Sequence, residues 1–192
     1  MKPNDFPDII TKIRGLLCQK EFVVIAIDGR CASGKTTLAD AIKQEFSCNV
    51  LHMDDFYLPL EQRDADWQET PGKNINFQSV KEILNHISLK EDYRFRPYQC
   101  ASASYGEPIF YQKNRLTVLE GTYSCHPQLQ EYFDYRIFLT ISPEEQAKRI
   151  IERNGREGYL RFQSLWIPLE ESYFAKYLIK DNCHLVLSEK KD

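Results

Sequence analysis

The sequence predicts an α/β protein whose sheet is mostly parallel and covered by helices on both faces. Segments with strand character alternate along the chain with segments of helical periodicity, which is typical of parallel sheets. The run FVVIAI at residues 22–27 is apolar throughout, which indicates a strand buried on both faces. With 192 residues, 42% hydrophobic and 28% charged, the chain fits a single domain over residues 1–192.

Each predicted element follows from its own residue pattern. The strand-like segments are short and aliphatic, at residues 22–27, 49–53, 116–119, 136–141 and 185–187. Helical spacing of apolar side chains predicts helices around residues 9–17, 36–46, 80–87, 143–154 and 162–177. The fourth helix has Ser142 as its cap and Pro143 at its first position, and we expect it to end at Gly155. We expect Trp166 to pack the last of these helices.

Two stretches fit neither pattern. Residues 54–75 are polar and rich in turn residues, whereas residues 93–112 are aromatic but interrupted by Pro97, Gly106 and Pro108. The second stretch therefore predicts a short hairpin or an irregular excursion. Because ligands of such folds bind at the carboxyl ends of the strands, we expect both stretches to flank a ligand pocket there.

Composition and charge exclude several function classes. The chain has 25 Lys and Arg against 28 Asp and Glu, a net charge of -3, so no nucleic-acid partner is expected. Its longest apolar run is far shorter than the roughly 20 residues of a membrane helix, so no membrane partner is expected either. The opening MKPNDFPDII lacks the apolar core of a signal peptide, and the six cysteines contain no CxxC pair. We therefore predict a cytoplasmic protein with reduced cysteines.

The strongest motif is a phosphate-binding loop directly after the first strand. Residues 29–36, GRCASGKT, match G-x-x-x-x-G-K-[ST] between a predicted strand and a predicted helix. Such a loop points backbone N–H groups at the phosphates of ATP, and the helix N-terminus favours the same anion. The predicted nucleotide-binding residues are Gly29, Arg30, Cys31, Ala32, Ser33, Gly34, Lys35, Thr36 and Thr37.

Two residues of this loop predict chemistry as well as binding. Lys35 is expected to reach the β- and γ-phosphates as a catalytic residue, and the Thr36 hydroxyl to ligate magnesium. The chain lacks the Asn-Lys-x-Asp motif of GTPases that act as switches. Its small size favours a kinase of a small molecule over a motor or a larger ATPase. The thiol of Cys31 is interpreted as a small side chain in the loop, although an electropositive loop could lower its pKa.

Carboxylates follow two of the predicted strands on the same edge of the sheet. Asp54 and Asp55 come after the second strand, where a phosphotransferase needs a base for the acceptor hydroxyl. We assign that role to Asp54. Glu120 ends the strand LTVLE and is expected to hold magnesium or to position the acceptor.

The chain resembles the uridine kinase family of small P-loop kinases, and in particular its short bacterial uridine kinase-like branch. The resemblance rests on GRCASGKTT, MDDFYLP, LEGTYS and RIFLTISPEEQAKRIIERNG, and it covers about residues 22–187. It implies a P-loop NTPase fold with five parallel strands, a small helical lid at about residues 154–162, and the cofactors ATP and magnesium. It also implies Asp54 as the base and Tyr57 at the acceptor.

The resemblance suggests further site residues. Arg149 and Arg153 lie four residues apart on one helical face and would be catalytic lid arginines, with Arg156 on the acceptor side between two glycines. Tyr98 matches a tyrosine that contacts the nucleoside. Asn76 stands where the family normally has an Asp that binds the ribose hydroxyls.

The acceptor itself stays open. Asn76 departs from the family pattern, and no histidine stands in residues 101–104, where uridine kinases have one that reads the pyrimidine. A nucleoside-like acceptor is the first interpretation, and pantothenate, a ribosyl nicotinamide, a sugar phosphate and glycerate are alternatives. A nucleotide-binding regulator without turnover and an ATPase acting on a partner protein are further hypotheses. Relatives are often multimers, so a homo-oligomer is also open.

Overall fold

The protein is described here by a computed structural model over residues 6–188, and its elements alternate as the sequence predicts. In chain order they are α1 (Pro7–Gln19), β1 (Val23–Gly29), α2 (Lys35–Phe46), β2 (Asn49–His52), α3 (Phe77–Ser88), β3 (Tyr93–Phe95), β4 (Tyr98–Gln99), β5 (Ser104–Tyr105), β6 (Ile109–Tyr111), β7 (Leu116–Glu120), β8 (Tyr135–Thr140), α4 (Pro143–Arg161), α5 (Ile167–Tyr177) and β9 (Leu185–Ser188). The ends of the predicted 1–192 domain, residues 1–5 and 189–192, lie outside the described residues.

The centre of the fold is a five-stranded sheet in the order β2–β7–β1–β8–β9. All four pairings are parallel, so the predicted α/β fold is confirmed and its main sheet is wholly parallel. Strand β1 lies in the middle and is buried along its whole length, as its apolar sequence requires. Because the strands are parallel, β1, β2 and β7 end at the same edge.

Helices cover both faces of this sheet. Apolar residues of α1 and α2 pack with β1, β7 and β8 on one face, with Ile13, Leu38 and Ile42 fully buried. On the other face α3 and α5 build the second core, in which Tyr173 is fully buried. No helix within residues 6–188 is both long enough and apolar enough to cross a membrane.

The two predicted excursions take different forms. Residues 93–111 form two small antiparallel ladders, β3 with β6 and β4 with β5, as a hairpin region should. Residues after β2 form short 3₁₀ turns at Met53–Phe56 and Leu60–Gln62 before the chain reaches α3. The chain thus leaves the carboxyl end of β2 and runs beside the sheet edge before it returns.

The predicted helix end at Gly155 is wrong in one respect. Gly155 does leave the helical conformation, with φ 73° and ψ 173°, but the chain resumes the helix and continues to Arg161. A π-helical turn, Phe162–Trp166, then leads directly into α5. A glycine tolerates this backbone conformation and interrupts the helix locally, while the residues beyond it have helical propensity of their own. A lid role for residues 154–162 stays a prediction.

The end of β1 approaches β8 so closely that only glycine fits. Gly29 has φ 137°, and a Cβ atom added there would lie 2.0 Å from the backbone oxygen of Leu139. We predict that Gly29→Ala lowers the free energy of unfolding by more than about 2 kcal/mol, because strand pairing must open to admit the methyl group. Urea unfolding of the purified variant measures this loss.

Gly15→Ala is the matched control for that substitution. Gly15 lies inside α1, and an added Cβ meets no atom within 4 Å. Alanine has the higher helix propensity, so this variant should gain up to about 1 kcal/mol. Equal unfolding midpoints for the two variants would contradict the close approach of β1 and β8.

Candidate active site

The phosphate loop joins β1 to α2 and has the backbone that its glycines were expected to allow. Gly34 and Ala32 adopt positive φ values of 96° and 61°. Lys35 is the first residue of α2, and its buried ammonium donates to the backbone oxygens of Gly29 and Arg30, both at 2.8 Å. An ammonium has three donors, so one is left for an anion at the mouth of the loop.

Side chains of α4 and α5 support the loop from outside. Arg30 donates to both carboxylate oxygens of Glu171, at 2.6 and 3.2 Å, so its guanidinium is turned toward α5. The Cys31 backbone N–H donates to Glu170 at 3.0 Å, and Gln146 donates to the other oxygen of Glu170 at 2.7 Å. In this arrangement both the Arg30 side chain and the Cys31 N–H are therefore bonded to carboxylates of α5.

Cys31, Ser33 and Thr37, which were also predicted to bind the nucleotide, have different surroundings. Burial, followed by the charge of Glu170, raises the pKa of the Cys31 thiol to about 12, which fits the interpretation of Cys31 as a small side chain of the loop. Ser33 is buried, and its hydroxyl oxygen has no hydrogen-bond partner among the described residues. Thr37 is exposed on α2.

Thr36 and Glu120 meet where a magnesium ion was predicted. The Thr36 hydroxyl donates to Oε1 of Glu120 at 3.0 Å, and Glu120 is only 5% exposed at the end of β7. A hydroxyl and a carboxylate are hard oxygen donors of the kind that Mg²⁺ takes beside phosphates and water. No group of three or more His, Cys, Asp or Glu side chains in residues 6–188 could hold a metal by itself. The donor set thus fits a magnesium ion shared with a nucleotide.

His52 belongs to this cluster although the sequence analysis assigned it no chemistry. Its Nδ1 lies 2.6 Å from Oε1 of Glu120, and this hydrogen bond is the main cause that raises the pKa of His52. The two residues are register partners at the ends of β2 and β7. That pairing is set by sheet order, so the histidine could not be found from local sequence.

Asp54 follows β2 in a 3₁₀ turn at the carboxyl edge of the sheet. Its carboxylate is open to solvent on one side but surrounded by protein on the others, so incomplete hydration is the main cause that raises its pKa. Lys35 and Arg153 lower this pKa, while the charge of Glu120 raises it. The structure therefore brings four predicted site residues close enough to influence one another: Lys35, Asp54, Glu120 and Arg153.

The three predicted lid arginines have different surroundings. Arg149 donates to the backbone oxygen of Ala32 in the loop at 3.3 Å and to Glu145 at 2.8 Å. The Arg153 guanidinium lies over the ring of Phe162, 5.6 Å from its centre. Arg156 is exposed beyond the break at Gly155, and no described contact joins it to the site.

The predicted acceptor residues are only partly assembled. Tyr57 lies next to Asp54 in the cleft, and burial together with the Asp54 charge raises its pKa well above the ordinary value. Asn76 caps α3, where its side chain accepts from the Ser79 N–H at 3.0 Å. Tyr98 is buried against the edge of Tyr105, with ring centres 5.5 Å apart. Acceptor binding by Asn76 and Tyr98 stays a prediction.

Two further features of the site were missed. Asp28 is fully buried before the loop and accepts from the N–H groups of Gly29 and Cys125, at 2.7 and 2.8 Å, and from the Tyr173 hydroxyl at 2.8 Å. A charged residue that ends an apolar strand was the available signal. Trp166 does not only pack its own helix, since it contacts Tyr57 and Trp67 across the cleft.

Comparisons with known proteins find relatives of modest identity that match part of their length. The chain is 28% identical over 134 residues to nicotinamide riboside kinase 2 of Mus musculus (66% of this chain, 65% of that protein). It is 25% identical over 143 residues to uridine-cytidine kinase B of Dictyostelium discoideum (70% and 59%). It is also 23% identical over 155 residues to tRNA dimethylallyltransferase of Flavobacterium psychrophilum (81% and 49%). The chain thus spans about half to two thirds of the length of these relatives. No protein-family model matches it.

Solved structures share the fold. A protein of Bacillus stearothermophilus described as a possible uridine kinase superimposes with a TM-score of 0.68 at 17% identity, covering 95% of this chain and 99% of that one. D-glycerate 3-kinase of Cryptococcus neoformans gives a TM-score of 0.60 at 13% identity, covering 88% and 86%. The fold is that of the P-loop kinases. Together with the relatives, it confirms the predicted likeness to the uridine kinase-like family.

The buried Asp28 gives the stability of the protein a specific pH dependence. Burial raises its pKa to about 6 from an ordinary value of 3.8, so the native state holds this proton more tightly than the unfolded chain. That contribution to stability is complete below about pH 4 and is lost as the pH rises through 6. We predict that between about pH 4 and pH 7 the wild type loses roughly 2 kcal/mol of unfolding free energy relative to Asp28→Asn.

Urea unfolding of both proteins across that pH range measures the difference. Asp40→Asn, on the exposed face of α2, is the control and should run parallel to the wild type. A difference between wild type and Asp28→Asn that stays constant with pH would contradict a raised pKa at Asp28.

Proposed function

We propose that the protein is an ATP- and magnesium-dependent phosphotransferase that moves the γ-phosphoryl group to a hydroxyl of a small molecule. The observation that carries this proposal is the convergence of Lys35, the Thr36–Glu120 pair and Asp54 at one edge of the sheet. Each supplies a part that phosphoryl transfer requires, namely phosphate binding, metal binding and an acceptor base. The kinase names of two curated relatives support the same class.

The roles follow from the positions of the side chains. The N–H groups of the loop and the Lys35 ammonium would bind the β- and γ-phosphates of ATP. Thr36 and Glu120 would hold magnesium, which when bound neutralises charge on the phosphate oxygens. Asp54 would accept the proton of the acceptor hydroxyl as its oxygen bonds to the γ-phosphorus and ADP leaves.

Arginines on α4 would complete the charge balance. Arg149 already contacts the loop through Ala32, and Arg153 lies close enough to lower the pKa of Asp54. Guanidinium groups at these positions would stabilise the charge on the transferred phosphoryl group. Arg156 would join them only after a movement of the segment beyond Gly155.

For the acceptor, a nucleoside such as uridine or cytidine is the first class to test. This choice rests on the family likeness and on the names of relatives. Pantothenate, a ribosyl nicotinamide, a sugar phosphate and glycerate are also to be tested as acceptors, because the Asn76 side chain caps α3. The cytoplasmic location, the lack of a nucleic-acid partner and a homo-oligomeric state stay predictions.

Substitution of Asp54 tests the base. We predict that Asp54→Asn lowers kcat at least about 100-fold, since general-base catalysis contributes on the order of 10²–10⁴. Asp55→Asn is the matched control, one residue away and also partly exposed, and should stay within a few-fold of wild type. ADP release is measured with magnesium ATP over nucleosides, vitamins and sugars.

The outcomes of that assay separate the hypotheses. Turnover by Asp54→Asn at the wild-type rate would show that the base is misassigned. Tight ATP binding by the wild type, without phosphorylation of any acceptor, would favour a nucleotide-binding regulator. ATP hydrolysis stimulated by a partner protein and independent of any acceptor would favour an ATPase.

Substitution of Glu120 tests the metal site. We predict that Glu120→Gln raises the free magnesium needed for half-maximal rate about tenfold, because the site loses its carboxylate donor. Glu91→Gln, an exposed carboxylate paired with His86 far from the loop, should leave the requirement unchanged. A magnesium titration at fixed ATP measures both. An unchanged requirement in Glu120→Gln would place the ion elsewhere.

A further inference from the structure

Arg63 is held in a fixed orientation beside the acceptor side of the cleft. Its Nε donates to the backbone oxygen of Leu58 at 2.8 Å. Its guanidinium carbon lies 4.6 Å from the ring centre of Trp67 and 5.8 Å from that of Tyr57. A hydrogen bond and stacking on two rings restrict this long side chain to one position, so its fork of donors is preorganised.

The charge of Arg63 is not matched by the protein. No ion pair to a carboxylate is formed by Arg63 within residues 6–188, whereas Arg30 and Arg149 each have one. Arg63 is half-buried, and only one of its five N–H donors is used by Leu58. A cation that is preorganised, partly desolvated and unmatched is suited to bind a carboxylate or phosphate with two hydrogen bonds.

Three aromatic rings, tilted toward one another, surround Arg63. Trp166, from the junction of α4 and α5, lies 5.9 Å from Trp67 and 6.0 Å from Tyr57 between ring centres. Rings from both sides of the cleft therefore enclose the space next to the guanidinium. We call the group of Tyr57, Arg63, Trp67 and Trp166 the Arg63 subsite.

The Arg63 subsite lies within reach of the proposed base. Tyr57 belongs to both, because the Asp54 charge raises its pKa while Arg63 lowers it. Burial raises the pKa of the Cys100 thiol, and the charges of the same groups act on it: Arg63 and Arg161 lower this pKa, whereas Asp54 raises it. A small molecule with its hydroxyl at Asp54 could thus extend over Tyr57 toward Arg63.

We propose that the Arg63 subsite binds an anionic group of the acceptor, so that the substrate is an alcohol that carries a carboxylate or a phosphate ester. This rests on the proposed phosphotransferase function and changes the order in which acceptors are to be tested. The acidic alternatives, namely pantothenate, a sugar phosphate and glycerate, come before the uncharged nucleosides that the family likeness placed first. An uncharged nucleoside would cover Arg63 and remove its water without giving its charge a partner, which is costly. A cationic acceptor would meet repulsion from Arg63 and Arg161.

Tryptophan fluorescence reports directly on this subsite. The chain has only two tryptophans, Trp67 and Trp166, and both belong to the Arg63 subsite. The protein is first saturated with magnesium and a non-hydrolysable ATP analogue, so that the phosphate loop is occupied. It is then titrated with matched pairs: glycerol against glycerate and glycerol phosphate, ribose against ribose 5-phosphate, and uridine against orotidine. We expect at least one acidic member to bind ten or more times more tightly than its neutral partner.

Variants link that preference to Arg63. Arg63→Gln should abolish the preference, and Arg63→Lys should retain part of it because the charge stays while the fork is lost. Arg94→Gln, an exposed arginine on β3, is the matched control and should bind as the wild type does. Circular dichroism of each variant confirms folding. The carboxylate and phosphate arms show which acid the subsite prefers.

The outcomes of these experiments test the Arg63 subsite separately from the phosphotransferase function. Equal affinity within every pair, no response to any acidic compound, or a preference that survives in Arg63→Gln would overturn the proposal. Phosphorylation of a neutral acceptor with an unchanged rate in Arg63→Gln would also overturn it while leaving the phosphotransferase function intact. Acid-selective binding that needs Arg63, without any phosphoryl transfer, would support the subsite and count against the phosphotransferase function.

Discussion

The carboxylate of Asp28 connects the parts of the chain on which the site is built. It accepts hydrogen bonds from the first residue of the phosphate loop, from Cys125 after β7 and from Tyr173 on α5. A fully buried carboxyl is unfavourable unless its oxygens are satisfied, and here three donors satisfy them. The strand, the segment after β7 and the last helix are therefore held in a single arrangement, and the loop emerges from β1 in a defined direction.

The helix α5 serves two sides of the cleft at once. Glu170 and Glu171 hold the phosphate loop through Cys31 and Arg30, while Trp166, just before the helix, contacts the aromatic residues beyond Asp54. The same element therefore borders both the phosphate loop and the acceptor side of the cleft. The sheet edge also brings distant parts of the chain together. There the parallel order of β2, β7 and β1 places His52, Glu120 and Thr36 side by side.

Local patterns predicted the parts of the molecule that depend on neighbours in sequence. The buried strand at residues 22–27, the loop at residues 29–36 and the acid that ends LTVLE each carry their signal within a few residues. The Arg63 subsite could not be found this way, because Trp67 and Trp166 are about a hundred residues apart and meet only in the fold. The role of Asn76 could not be predicted from the sequence for a different reason, because it caps α3 and so depends on the residue at which that helix begins.

The break at Gly155 gives α4 a mechanical property. A single non-helical residue separates two helical pieces, and the second piece runs from residue 156 to Arg161 over about 9 Å at roughly 1.5 Å per residue. The far end of this piece continues without interruption through the π-helical turn Phe162–Trp166 into α5, whose side chains are part of the core. A rotation at Gly155 that moves Arg156 must therefore change the π-helical turn as well, or carry α5 with it.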